Sequence, residues 1–223
     1  MIKTIFPLVG FFFLVLTGAV RFHDLISEEG THFNGTPVAK YASAMNRLMD
    51  MHQKLRSDNM TSSRFEDAVW DENGFPEENP FLYQGDLVLN QQQLDALIEA
   101  YKIKLAEKEG HQISNRFYSI SVGLWTKMPI YWSVDKVKPA LGGATAIKKG
   151  MALWEEVTCV KFKEGSDRTN GHINFFAGAG CNSQYGMQQY QNNISLGIGC
   201  QKSAVIAHEI GHSLASTPKA VLT

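Results

Sequence analysis

Apolar positions along this chain fall into stretches of different texture. Met1 to Ala19 holds one lysine followed by an uncharged run rich in Phe, Leu and Val, and closes on Thr17-Gly18-Ala19. A basic start, a short apolar run and small residues at its end read as a secretory signal peptide over residues 1–19. The run is short for a membrane span and carries Pro7. From Pro37 to Leu55, the residues Tyr41, Met45, Leu48, Met49, His52 and Leu55 recur at helical spacing. Residues 57–80 are rich in Ser, Asn, Asp, Glu and Pro and read as loop or linker. Asn90 then starts a second helix, with Gln93 placed for a capping box. Leu94, Leu97, Ile98, Tyr101 and Leu105 form its apolar stripe, which is expected to pack against a neighbouring domain, and Gly110 ends it.

After Arg116 glycine becomes frequent and the apolar runs shorten. Met128-Pro129-Ile130-Tyr131-Trp132 reads as a strand entered through Pro129. Pro139 to Val157 reads as a helix with Ile147, Met151 and Trp154 on one face. Val160–Lys163, His172–Phe176 and Ile194–Ile198 read as strands, and Cys181–Met187 as an irregular edge segment. A last apolar stretch, Ala204 to Ala215, reads as a helix lying under that sheet. Later stretches are all too short to span a bilayer, so no stable membrane association is expected once the signal segment is removed.

The 223 residues, 44% apolar and 19% charged, suffice for one or two globular domains, and a net charge of −1 gives no electrostatic case for nucleic acid. Secretion implies an oxidising compartment for the three cysteines, Cys159, Cys181 and Cys200, one of which must lack a partner within this chain. Asn34, Asn59 and Asn193 each begin an Asn-x-Ser/Thr acceptor for glycosylation on that route.

The last helix carries the chemistry, as His208-Glu209-Ile210-Gly211-His212. Residues four apart on a helix share a face one turn apart, so both imidazoles can reach one ion. Zinc suits neutral imidazole at about 2.0–2.1 Å and acidifies a bound water. Glu209 is then placed to take that water's proton and pass it to a leaving amine. Two histidines leave a catalytic zinc one protein ligand short.

Several stretches in order resemble the astacin family of secreted zinc metallopeptidases. They are Trp125 with Pro129-Ile130-Tyr131, Ala146-Ile147 with Trp154, and Thr158-Cys159-Val160-Lys161-Phe162. Gly180-Cys181 with Tyr185-Gly186, then Ile194 to Cys200, and finally His208 to His212, complete the likeness, which runs from about Trp125 to Leu214. The resemblance implies an α+β fold: the upper, N-terminal zincin subdomain, with a twisted, mostly parallel mixed sheet and two helices, preceded by a mainly helical propeptide. It divides the chain into a signal peptide (1–19), a propeptide (20–116) and a partial peptidase domain (117–223). It implies a secreted zinc endopeptidase precursor acting on a peptide or protein substrate laid along the edge near Cys181–Met187, with His208 and His212 as Zn2+ ligands and Glu209 as catalytic base. Tyr83-Gln84-Gly85-Asp86 resembles the family's propeptide stretch, making Asp86 the carboxylate that covers the metal in the zymogen. Arg116 is the best-placed basic residue for activating cleavage. Cys181–Cys200 matches the family's inner disulfide, for which about 3 kcal/mol is expected, and Cys159 matches a cysteine whose partner is absent from this chain.

The likeness ends inside the motif. The family continues Gly-x-x-His, whereas here Ala215 and Pro218 take the glycine and third-histidine positions, and residues 215–223 hold no His, Asp, Glu or Cys. The expectation is a truncated or divergent member with weak or absent catalysis, its missing half leaving apolar surface exposed. Asp86 with the two histidines offers a three-donor set in an uncleaved form. His172 and the other upstream histidines are expected to be structural or solvated. The alternative is a secreted non-catalytic pseudo-protease serving as a binding or decoy module.

Overall fold

A computed structural model of the chain describes residues 19–21, 32–33, 36–56, 68–71, 74–111, 122–165 and 171–216. Residues 1–18 of the expected signal peptide, Asn34, Asn59, Arg116 and Pro218 lie outside these. In chain order come β1 (Ala19–Arg21), β2 (His32–Phe33), β3 (Thr36–Pro37), α1 (Val38–Arg56), β4 (Val69–Asp71), β5 (Leu87–Val88) and α2 (Gln91–Lys108). Then follow β6 (Ile130–Val134), α3 (Gly143–Val157), β7 (Phe162–Glu164), β8 (His172–Phe176), β9 (Cys181–Gln184), β10 (Asn192–Leu196) and α4 (Ser203–Ser213). No helix among the described residues is long and apolar enough to cross a membrane.

The two N-terminal helices bury their stripes against each other. Tyr41, Met45 and Leu48 of α1 and Leu94, Leu97 and Ile98 of α2 share one core with Trp70, Phe81, Leu87 and Leu89. The α2 stripe therefore packs mainly within the N-terminal region, and Tyr185, just after β9, joins the same core. In α1 the buried position one turn past Leu48 is Met51, not His52. The His52 ring instead stands edge-on to Tyr101 at the rim. Asn90 and Gln93 form the expected capping box, each side chain accepting the other's backbone N–H at 3.0 Å. The expected linker is more ordered than its composition suggests. Within it, β4 pairs with β1, and the buried Trp70 indole donates to the Phe75 carbonyl at 2.9 Å.

The second core lies in a six-stranded sheet of order β5-β9-β10-β8-β6-β7, parallel throughout except for the β9–β10 pair. Ile130, Trp132, Ile173, Phe175, Ile194 and Leu196 from the sheet pack with Ile147 and Met151 of α3 and Ile206 and Ile210 of α4. Each such buried aliphatic or aromatic side chain is worth about 1.5–3 kcal/mol relative to exposure. Boundaries shift by a few residues. Pro139 is bridged to Phe176 rather than helical, and α3 starts at Gly143. The strands expected at 160–163 and 194–198 lie at Phe162–Glu164 and Asn192–Leu196. Cys181–Gln184 is not an irregular edge but an inner strand, because β5 pairs along its far side. The large exposed apolar residues, among them Val157, Leu153 and Val137, lie on α3, in loops and, as Val69, in β4, whereas α4 is mostly covered.

Close approaches place the last helix and the N-terminal region. A Cβ on Gly150 would lie 2.6 Å from Ile206 Cγ2, so α3 and α4 can meet there only at a glycine. Trp154 then donates its indole N–H to the Ala207 carbonyl at 2.7 Å. At Gly180 (φ +65°) an added Cβ would lie 2.5 Å from both the Pro76 carbonyl oxygen and the Trp70 ring. The next residue, Cys181, donates its N–H to that same Pro76 oxygen at 2.8 Å and is bridged to Cys200.

Gly180→Ala is expected to lower stability by more than about 1 kcal/mol, since the methyl adds a backbone clash to left-handed strain. Gly143→Ala is the control, as its φ is +58° with nothing within 4 Å. Urea unfolding of the two variants separates clash from strain. Equal losses would show that the N-terminal region does not press on Gly180.

Candidate metal centre

The apolar flanks of the last helix bury Ile206 and Ile210 in the sheet core. That rotation turns His208 and His212 toward one spot, with ring centroids 4.5 Å apart. Their Nε2 atoms are 3.0 Å apart. His212 is 2% exposed, whereas the His208 side chain is 46% exposed at the mouth.

Asp86 reaches the same spot from 122 residues upstream. Its Oδ2 lies 2.8 Å from His208 Nε2 and 3.2 Å from His212 Nε2. A tight loop presents it. Asn79 donates its N–H to the Gly85 carbonyl, and its carboxamide oxygen accepts the Phe81 N–H, both at 2.9 Å. Gln84 and Gly85 both adopt positive φ, +58° and +94°. Directly beyond, Asp86 O accepts the Ser183 N–H at 3.0 Å, and β5 begins its pairing with β9.

The three donor atoms suit one cation. Ligands around a tetrahedral zinc with 2.0–2.1 Å bonds lie about 3.3 Å apart, and two imidazoles with a carboxylate are an ordinary zinc set. Without a cation, two ring nitrogens and a carboxylate oxygen this close can be reconciled only by protons shared among them. At this spot His212 Nδ1 and both oxygens of Glu209 are also buried without hydrogen-bond partners among the described residues. Among those residues Asp86, His208 and His212 form the cluster able to hold a metal, and the buried His172 is not part of it.

Charges follow from this packing. Burial pushes the Asp86 carboxyl up, but hydrogen bonds from His208 and His212 and their charges outweigh it, leaving it below the ordinary range. The Asp86 hydrogen bond raises His208 against the opposing effect of burial, helped by the charges of Asp86 and Glu77. Burial first, then the charges of Asp86 and Glu77, push Glu209 well above the usual carboxyl range. An upward push of this kind suits a carboxyl that must give and take protons.

Residues 119–216 match the family model of Astacin, a peptidase family. Over this segment the chain is similar to the astacin family. Zinc metalloproteinase nas-36 of Caenorhabditis elegans is 33% identical over 141 residues, covering 61% of this chain and 21% of that protein. Zinc metalloproteinase nas-34 of the same organism is 26% identical over 213 residues, covering 86% of this chain and 34% of that protein. The chain thus spans about a fifth to a third of the length of these relatives. A solved structure, the hatching enzyme zinc-protease high choriolytic enzyme 1 of Oryzias latipes, covers 41% of this chain and 48% of its own, at 24% identity and TM-score 0.37.

Ala215, at the astacin motif's glycine position, adopts φ +65°, so the turn is made without the glycine. Ser216 N–H bonds to the Gly211 carbonyl and Ala215 N–H to that of His212, at 2.8 and 2.9 Å, the paired pattern of a left-handed helix stop. Asn193 sits half-buried in β10, its carboxamide oxygen accepting from Asn174 and Gln191. Cys159 is exposed and unpaired. Glu77, Asn79 and Ser183 carry no pattern that marks them for the site in sequence. Loop folding and strand pairing bring them there.

Ala215→Gly is expected to stabilise the protein by about 1 kcal/mol by removing Cβ strain at positive φ, read as a higher urea midpoint. In protein stripped of divalent cations, Asp86 contributes stability above its ordinary pKa of about 3.9, lost as pH falls through the lowered folded value. His208 contributes stability fully present below about 6.5, lost as pH rises through its raised folded value, and the buried Glu209 acid weakens the fold in the same direction. The urea midpoint of stripped protein should therefore fall as pH rises above about 6.5, and Asp86→Asn should flatten that fall.

Proposed function

We propose that this chain is the precursor of a secreted zinc-dependent endopeptidase held shut by Asp86. The convergence of Asp86 Oδ2 on both histidine Nε2 atoms, at 2.8 and 3.2 Å, carries this reading. His208, His212 and, before activation, Asp86 would hold Zn2+, whose contribution is Lewis acidity toward a peptide carbonyl and a water molecule. Glu209, buried beside the ligands, takes the proton of the attacking water and delivers it to the leaving amine. While Asp86 stays, its charge helps hold Glu209 in the acid form. Its departure opens the position that water needs and moves Glu209 toward the base.

The same edge supports the substrate reading. β5 lies along β9 as an added strand, with Leu87 opposite Ser183 and Val88 opposite Gln184. An extended peptide substrate takes that edge by strand addition once the propeptide leaves. Cleavage after Arg116 separates residues 20–116 from the peptidase segment, residues 1–19 direct secretion, and Asn34, Asn59 and Asn193 are the glycan acceptors. Cys159 pairs outside this chain. A second reading, a secreted non-catalytic binding or decoy module, is favoured by Pro218, which stands where the astacin motif has its third histidine.

Purified uncleaved chain should hold one equivalent of zinc after dialysis, and Asp86→Ala should weaken retention about tenfold or more. Digestion of casein or gelatin after cleavage at Arg116, lost in Glu209→Gln, marks the peptidase. Retained zinc without digestion marks the non-catalytic module. A chain that takes up no zinc refutes the metal site.

A further inference from the structure

A metal-binding imidazole ordinarily ties its second ring nitrogen to a carbonyl or carboxylate, which sets the ring's direction. His212 lacks that tie, since its Nδ1 is buried with no hydrogen-bond partner among the described residues. The direction of its Nε2 therefore depends on packing and on where the backbone of the last α4 turn is anchored.

That turn is gripped from the loop after β9. The His212 carbonyl accepts the Gly186 N–H at 2.9 Å in addition to the Ala215 N–H. Gly186 is in turn held by Asn192, the first residue of β10. The Asn192 carboxamide nitrogen donates to the Gly186 carbonyl at 2.6 Å and to Ser213 Oγ at 3.0 Å. Its oxygen accepts the Gln188 N–H at 2.8 Å. Asn192 and Ser213 are both fully buried, and β10 is paired on both sides, to β8 and β9. One planar group with two donors and an acceptor thus joins the 186–188 loop to the residue after His212. Aspartate has the same shape but cannot donate, and serine is too short to span both partners.

We propose that Asn192 is a positioning residue for the metal centre, clamping the end of α4 so that His212 presents Nε2 beside His208 and Asp86. This rests on the reading of that cluster as a zinc site.

Cobalt(II) added to the whole uncleaved chain tests it, through the visible absorption of the bound ion and its affinity. Asn192→Asp is expected to weaken cobalt binding about 10–100-fold and to shift the band. Ser213→Ala, which removes one arm of the clamp, should act in the same direction but less, and it keeps the test open if the aspartate variant does not fold. Ser195→Ala, compared in protein produced without glycans because Ser195 completes the Asn193 acceptor, is the control. Ser195 is equally buried on the same strand, and its hydroxyl donates to the Gly180 carbonyl at 2.8 Å, away from α4. It should lower the unfolding midpoint and leave band and affinity unchanged. Wild-type band and affinity in both clamp variants would overturn the role of Asn192. Wild-type chain that binds no cobalt would overturn the zinc-site reading and this inference with it.

Discussion

The contact on which the architecture depends is one carboxylate oxygen set against two imidazole nitrogens. Asp86, His208 and His212 arrive from stretches separated by more than half the chain, yet their donor atoms lie within 4.8 Å of one another. A charge this sheltered is costly to place unless partners meet it. The loop from Asn79 to Gly85 presents it, the Ser183 N–H holds its backbone, and β5 continues from it along the sheet. Loss of any of these supports would leave a buried carboxylate facing rings it no longer meets.

Unfavourable features gather around the same helix. Glu209 is fully buried and, among the described residues, its oxygens and one ring nitrogen of His212 have no partner, while Ala215 stands in a left-handed conformation. Local rules are broken in natural proteins mainly where chemistry is done, and the cost is offset elsewhere. Here the offset comes from two apolar cores, the Cys181–Cys200 bridge and the close α3–α4 contact at Gly150.

On the proposed reading, the N-terminal region and a peptide substrate would compete for one sheet edge. Covalent attachment makes β5 an intramolecular occupant of that edge, with an effective concentration no free peptide readily matches. The Trp70–Gly180 contact and the Pro76 carbonyl on Cys181 extend the grip beyond the ion-binding spot. On the proposed precursor reading, a segment held over so broad a surface would leave only when its chain is cut, so proteolysis would suit activation better than a change in metal or pH.

The motif His208-Glu209-x-x-His212 by itself set two rings on one helical face, because helical periodicity is local. The capping box at Asn90 and Gln93, the helix stripes and most sheet strands were legible for the same reason. Composition misled where order is imposed from outside. Trp70 and Asn79 sit in a polar stretch that reads as linker, and Cys181–Gln184 reads as an irregular edge until Leu87–Val88 is seen beside it. Asp86 was singled out by family resemblance alone, since a Gly-Asp pair carries no address. Only tertiary structure decided that its carboxylate meets both rings, that Asn192 clamps the end of the helix, and that Ala215 makes the turn a glycine would make. Each of these depends on contacts between residues far apart in the chain, which no local spacing encodes.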